Sequence, residues 1–152
     1  MASQLNPDDL LKVDNFMCFA LYSAGHAFTR LYKPLLDPLG LTYPQYLVMA
    51  VLWEKDDRPV GEIGEKLLLE SSTLTPLLKR LEAAGMVRRT RDRDDERVVR
   101  IQLTPQGATL KQKALSIPAA IGCSTSLSIP EVVKLTGEIK ALRQKLLAAQ
   151  AA

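Results

Sequence analysis

Gly85-Met86-Val87-Arg88-Arg89-Thr90-Arg91-Asp92-Arg93-Asp94-Asp95-Glu96-Arg97-Val98-Val99-Arg100-Ile101-Gln102-Leu103-Thr104-Pro105 carries the strongest structural pattern in the chain. Val98, Arg100 and Gln102 alternate with Val99, Ile101 and Leu103, the period-two pattern of a strand with one buried face. Met86–Arg91 is a second strand. The charged run Asp92–Glu96 between the two supplies the turn, so the segment reads as a β-hairpin. Gly85 stops whatever precedes it. Thr104-Pro105 opens a helix after it, with threonine as the cap and proline at the first helical position.

Upstream, Ser72–Ala84 reads as a helix with Leu74, Leu77, Leu78 and Leu81 as its inward stripe. Ser72, Thr75, Lys79 and Arg80 fall largely on other faces. Pro76 is expected in or near the first turn, where a missing N–H costs least. A shorter helix is expected near Gly61–Leu68, and Lys55–Pro59 reads as a turn. Before it, Thr42 and Gln45 are spaced as a capping box, with Leu41 and Tyr46 as a hydrophobic staple across it. Asp8 to about Leu36 reads as one long helix. Its centre, Phe16–Tyr22, is apolar almost all round, which implies burial on more than one side. In a chain of 152 residues the second side points to another subunit. Downstream, a helix runs from Pro105 to near Ile117-Pro118. Ala119–Leu127, small and polar and containing Cys123, reads as a loop. A second capping box at Ser128 and Glu131 opens a last helix to about Leu147.

Composition excludes several classes. The length fits one domain, and 47% hydrophobic with 24% charged residues is ordinary globular usage. The longest uncharged stretches, Pro38–Trp53 and Ala114–Pro130, are shorter than a membrane span and broken by prolines. The N-terminus has no secretory pattern, so a cytoplasmic location and no membrane partner are expected. The net charge of +3 is concentrated: Lys79–Arg100 holds eight basic against five acidic residues, and the remainder balances. That placement suggests a polyanionic partner, against the alternative of a solvated hairpin with internal salt bridges. No CxxC pair exists and His26 is the only histidine, so no metal, cofactor or nucleophilic triad is expected.

Two short helices followed directly by a basic hairpin form a winged helix-turn-helix, mainly α (α+β). Such a motif places its second helix in the DNA major groove. Its hairpin reaches the adjacent backbone or the minor groove, whose negative potential favours arginine.

From Gly61 to Gly107 the residues resemble the MarR family of bacterial transcription factors, above all Asp92-Arg93-Asp94-Asp95-Glu96-Arg97 leading into Leu103-Thr104-Pro105-Gln106-Gly107. A narrower resemblance is to the organic hydroperoxide resistance regulator branch. It is carried by Cys18-Phe19-Ala20-Leu21-Tyr22, Tyr32-Lys33-Pro34-Leu35-Leu36, Leu41-Thr42-Tyr43-Pro44-Gln45-Tyr46 and Leu74-Thr75-Pro76-Leu77-Leu78-Lys79-Arg80. The resemblance implies one domain over residues 1–152, with a DNA-binding lobe at about 60–104 and dimerisation helices at about 8–36 and 105–148. It implies a homodimeric repressor that leaves double-stranded operator DNA when Cys18 is oxidised by an organic hydroperoxide, the inducer. Cys123 resembles the resolving cysteine of a two-cysteine subgroup, in which the disulfide joins the subunits. Residues matching Tyr32 and Tyr43 hydrogen-bond the reactive cysteine across the dimer. Ser71, Ser72, Thr73, Thr75, Lys79 and Arg80 present the recognition helix, and Arg97 is the wing-tip arginine, oriented by Asp95. Plainer roles stand beside these: helix capping for Ser71 and Ser72, and a hairpin salt bridge for Arg97.

The residues themselves leave the cysteines open. Cys18 is either a small core residue or a reactive thiol, and Cys123 either a loop residue or its partner. Tyr22, Tyr32, Tyr43 and Tyr46 all lie within 28 positions of Cys18, and phenol O–H groups stabilise a thiolate. Tyr32 is 14 residues on, or ~21 Å along a straight helix, so it reaches Cys18 only from another subunit. Phe16, Phe19 and Tyr22 line an apolar pocket suited to organic peroxides, or are core. Two rival functions are a MarR-type repressor answering to a small aromatic ligand and a thiol peroxidase using both cysteines. The basic hairpin argues against an enzyme.

Overall fold

In the computed structural model, which describes residues 6–151, the hairpin is built as the sequence pattern predicts: β2 (Val87–Arg91) pairs antiparallel with β3 (Val99–Leu103). The register sets Val87 opposite Leu103, Arg89 opposite Ile101 and Arg91 opposite Val99. A third strand, β1 (Arg58–Pro59), pairs with the other edge of β3, giving the order β1-β3-β2. Residues 55–59 were expected as a turn only. Two residues form a strand here because β3 offers them a partner, which no local pattern reveals. Pro59 fits because it stands on an edge strand.

The described residues fall into two compact units, up to Leu115 and from Ser116 onward. The first holds the sheet together with α1 (Pro7–Leu10), α2 (Met17–Leu36), α3 (Tyr43–Glu54), α4 (Val60–Leu67), α5 (Ser71–Ala83) and α6 (Pro105–Ala114). Single 3₁₀ turns precede and follow α2 at Val13–Asn15 and Asp37–Leu39. The second holds α7 (Ile117–Ser124) and α8 (Ile129–Ala151).

Local chemistry sets the helix ends. At α3 the Gln45 N–H donates to Thr42 Oγ1 (3.4 Å) and the Thr42 N–H to Gln45 Oε1 (3.0 Å), the expected capping box. Leu41 and Tyr46 are both buried, as a staple requires. At the end of α5 the Met86 N–H reaches the Leu81 carbonyl (3.0 Å) and the Gly85 N–H the Glu82 carbonyl (2.9 Å). Gly85 has φ +76°. This is a Schellman stop, and it aims the chain straight into β2. The core under the wing joins Val48, Met49 and Leu52 of α3, Ile63 of α4, Leu74, Leu78 and Leu81 of α5, and Val87 and Ile101 of the sheet. Each large side chain so buried stabilises the fold by about 1.5–3 kcal/mol.

Four expectations need correction. The helix expected from Asp8 to Leu36 is broken: Lys12 and Phe16 take extended conformations, and Asn15 Nδ2 donates to the Asp9 carbonyl (2.7 Å). Leu10, Leu11 and Val13 are exposed, so no packing within the chain holds a continuous helix there. Ala119–Ser124, expected as loop, belongs to α7; Pro118 occupies its first turn and Ala119 and Ala120 are strong helix formers. Pro76 is the sixth residue of α5 and so lies in its second turn, leaving the Ser72 carbonyl without its helical donor. The last helix continues past Leu147 to Ala151 through an alanine-rich end.

Two faces are left apolar and open. Leu36 is the only buried residue of α2, while Met17, Phe19, Tyr22, Phe28 and Leu31 are exposed. No residue of α8 is buried, and Val133, Leu135, Ile139 and Leu146 are exposed. No helix among the described residues is long and apolar enough to cross a membrane.

Candidate nucleic-acid interface and redox site

α5 divides its side chains by burial. Leu74, Leu77, Leu78 and Leu81 anchor it, and Ser71, Ser72, Thr73, Thr75, Lys79 and Arg80 all stay exposed on the outside. The N-cap position belongs to Glu70, and no side chain caps the helix there. Ser71 and Ser72 are thus helical residues with free hydroxyls, and capping does not account for them. Among the described residues neither Lys79 nor Arg80 is in an ion pair.

At the wing tip Asp95 brackets Arg97 with both oxygens. Arg97 Nε donates to Oδ1 (3.0 Å), Nη2 to Oδ2 (3.1 Å), and the Arg97 N–H also reaches Oδ1 (3.1 Å). The Arg97 side chain is nevertheless 90% exposed. The pair therefore orients a guanidinium whose charge stays available to an outside anion. The Arg97 side chain and then its backbone N–H hold the Asp95 carboxyl below the usual carboxylate range. A cleft of ≈420 Å³ between α5 and the wing brings Ser71, Thr75, Arg89 and Arg97 to one place. Hydroxyls and guanidiniums on one concave face are the donors that phosphate oxygens and base edges accept from.

Sequence reading missed the buttress behind the wing. Asp57, in the left-handed region at φ +55°, receives Arg100 Nε (2.8 Å) and Gln102 Nε2 (3.2 Å) on Oδ1. Arg100 Nη1 reaches Asp92 Oδ2 (3.0 Å). The partners lie 43 residues apart, and no local spacing signals such a pair.

The cysteines are free and exposed, Cys18 in the first turn of α2 and Cys123 in α7. Cys18 is therefore no core residue of its own chain. Tyr22 follows it by one helical turn and makes an edge contact with His26 (centroids 4.4 Å apart). Phe16 is half-buried at the N-cap of α2, and Phe19 is exposed. Tyr32 lies in the same helix as Cys18, three turns and more along, so the two do not meet within one chain. Instead Tyr32 packs on Tyr43 (4.7 Å) and Tyr46 (5.7 Å), and Tyr46 on Trp53 (6.3 Å). Burial, then the neighbouring phenols Tyr43 and Tyr46, push the Tyr32 hydroxyl up to about 12. It stays a neutral donor over all ordinary pH.

A helix with an outward hydroxyl and cation face, set beside an arginine-tipped hairpin, defines a winged helix-turn-helix. The family model for the transcriptional regulator SarA/Rot matches residues 30–114. The chain belongs to the SarA/Rot and MarR-type winged-helix family of transcriptional regulators. Among individual proteins, it is 50% identical over 144 residues to the HTH-type transcriptional regulator TtmR of Methylorubrum extorquens, spanning 95% of this chain and 74% of that one. It is 50% identical over 116 residues to the organic hydroperoxide resistance transcriptional regulator of Bacillus subtilis (76% and 79%). The solved structure of reduced AbfR bound to DNA matches with a TM-score of 0.76 at 34% identity over 92% of this chain and 98% of that one. Disulfide-formed AbfR matches with a TM-score of 0.60 at 34% identity (95% and 97%).

Proposed function

We propose that the protein is a homodimeric repressor that binds operator DNA and releases it when an organic hydroperoxide oxidises Cys18. The observation that carries this reading is the free, exposed Cys18 at the start of an uncovered apolar helix, in a chain 50% identical over 116 residues to an organic hydroperoxide regulator. The open apolar faces of α2 and α8 are the surfaces a second copy covers, with dimerisation segments at about 8–36 and 105–148 and a DNA-binding lobe at about 60–104. Exposed apolar areas of this kind mark association sites in soluble proteins.

DNA is held in two places. The exposed face of α5, from Ser71 to Arg80, enters the major groove, and Arg97, steered by Asp95, enters the minor groove. In the reduced dimer the partner's tyrosines matching Tyr32 and Tyr43 donate to the Cys18 thiolate, with Phe16, Phe19 and Tyr22 forming the apolar wall. The thiolate attacks one oxygen of the hydroperoxide. An S–O bond forms, the O–O bond breaks, and the alcohol leaves after taking up a proton. The sulfenic acid then condenses with the Cys123 thiol of the other subunit, releasing water and forming a disulfide. Two half-sites ~34–36 Å apart accept only one spacing of the two lobes, so a crosslink that shifts them ends binding.

The test is a gel-shift titration on the DNA upstream of its own gene, with and without an organic hydroperoxide. Wild-type protein binds when reduced and dissociates on treatment, and Cys18→Ser protein binds in both conditions. Dissociation of Cys18→Ser protein on treatment overturns the sensing role. Peroxide turnover with a reductant, without specific DNA binding, would make it a peroxidase instead.

A further inference from the structure

A continuous hydrogen-bonded chain runs from the end of α3 to the tip of the wing. It starts in the turn after α3, where Asp56 Oδ1 accepts the Leu103 N–H (2.8 Å) and the Asp57 N–H (2.7 Å). Asp57 takes Arg100 twice, through Oδ1 from Nε (2.8 Å) and through its carbonyl from Nη2 (2.6 Å). The remaining edge of the Arg100 guanidinium donates from Nη1 to Asp92 Oδ2 (3.0 Å). The other oxygen of Asp92 accepts the N–H groups of Asp94 (2.8 Å) and Asp95 (3.2 Å), which shapes the wing turn. Asp95 then brackets Arg97. The Arg100 and Asp92 side chains at the middle of the chain are only 28% and 20% exposed.

Beyond this chain, the one other side-chain tie across the tip among the described residues is Arg91 Nη1, which donates to the Glu96 carbonyl (2.8 Å). Strand pairing ends at Arg91 and Val99. Beyond it the backbone contributes the Asp92 N–H to the Val98 carbonyl (2.8 Å) and the Val98 N–H to the Asp95 carbonyl (2.9 Å). A two-stranded ribbon is marginally ordered by itself, and a loose wing would have to lose its freedom on binding DNA. The planar fork of Arg100 fits here because it faces three acceptors on two residues at fixed angles, which an ammonium does not reproduce. The helix that begins at Tyr43 thus ends at the support of the wing.

We propose that Asp57 and Arg100 are positioning residues of the wing: they hold Arg97 where DNA meets it, and so set operator affinity without touching DNA themselves. The affinity part rests on the DNA-binding reading above; the anchoring part does not.

Two measurements test it. The first is fluorescence anisotropy on the upstream DNA with Asp57→Asn, which keeps a residue tolerant of positive φ, and Arg100→Lys, which keeps the charge. Each should weaken binding by about five- to ten-fold, the scale of one ordinary hydrogen bond lost at a half-exposed pair. Combined with Arg97→Ala, each should cost nothing further, because it acts through Arg97. Wild-type affinity in both single variants, or losses that multiply in the double variants, overturns the positioning role. The second is limited trypsin digestion of the free protein. Cleavage after Arg91, Arg93 and Arg97 should rise several-fold in Asp57→Asn, with an unchanged melting temperature. Unchanged cleavage overturns the anchoring. Wild-type protein that binds no DNA would sink the repressor reading and with it the affinity part, while the digestion still decides the anchoring.

Discussion

Gly107 is where a single added methyl group should do most harm. A Cβ there would sit 2.0 Å from the Met86 carbonyl oxygen, 3.0 Å from its carbon and 3.4 Å from Met49 Cε. Carbon–oxygen contacts normally close at about 3.3 Å, so something must move by more than 1 Å, roughly the difference. The Met86 carbonyl is tied down, because it accepts the Thr104 N–H (3.1 Å) and Thr104 Oγ1 (3.2 Å). α6 is tied too, since the Gly107 carbonyl accepts Trp53 Nε1 (2.9 Å). Relief therefore breaks one or two of these bonds on top of the overpacking, at a cost of about 2–4 kcal/mol. For a chain of this length that lowers the melting temperature by roughly 5–15 °C. Trp53 is the only tryptophan, so its emission reports on this junction directly. Thermal and urea melts of Gly107→Ala would be followed by that emission and by far-UV circular dichroism. The exposed neighbour Thr109→Ala serves as control, with a change within about 0.5 kcal/mol. A Gly107→Ala protein that melts within about 1 °C of wild type would refute the close approach of α6 to the start of β2.

Three further outcomes are expected. Unfolded tyrosine ionises near pH 10, but Tyr32 keeps its proton to about 12. The folded chain then binds more protons than the unfolded one, so stability that is whole below pH 10 is lost as pH rises toward 12. Phenolate absorbance should show a late phase to which Tyr43 and Tyr46, also raised by burial, contribute and whose latest part Tyr32→Phe removes, and a wild-type titration with a single midpoint near pH 10 would contradict the burial. Arg97→Ala should weaken operator binding and lower its salt slope by about one; unchanged affinity would count against the wing contact. Cys123→Ser should abolish a peroxide-induced dimer band on a non-reducing gel, and a band that persists would defeat the resolving role.

The candidate interface was legible in the sequence wherever its parts are neighbours along the chain. Asp95 and Arg97 are two residues apart, and their bidentate pair follows from a tight charged turn. The exposed face of α5 follows from the leucines that bury the other one. The anchoring of that wing was not legible. Asp56 and Asp57 sit in a stretch that reads as an ordinary polar turn, and Arg100 reads as the outward member of an alternating strand. Their meeting depends on β1 pairing with β3. The tyrosine cluster was half visible: the residues were evident, but spacing directs Tyr32 only away from Cys18. Its packing on Tyr43 and Tyr46 needs α2 and α3 laid side by side.

Legible in the residues alone are the run of helices from α3 to α5 leading into the hairpin, the caps at Thr42 and Thr104, the stop at Gly85 and the division of α5 into a buried and an outward face. Each of these is settled within a few residues, by hydrogen bonds and hydrophobic period that the chain carries wherever it goes. Tertiary contacts, in contrast, settle that Arg58–Pro59 is a strand, that Leu11–Phe16 interrupts the first helix, and that one arginine ties the end of α3 to the wing. Those outcomes depend on which distant groups are brought within reach, and the distance along a chain does not encode the distance across its fold.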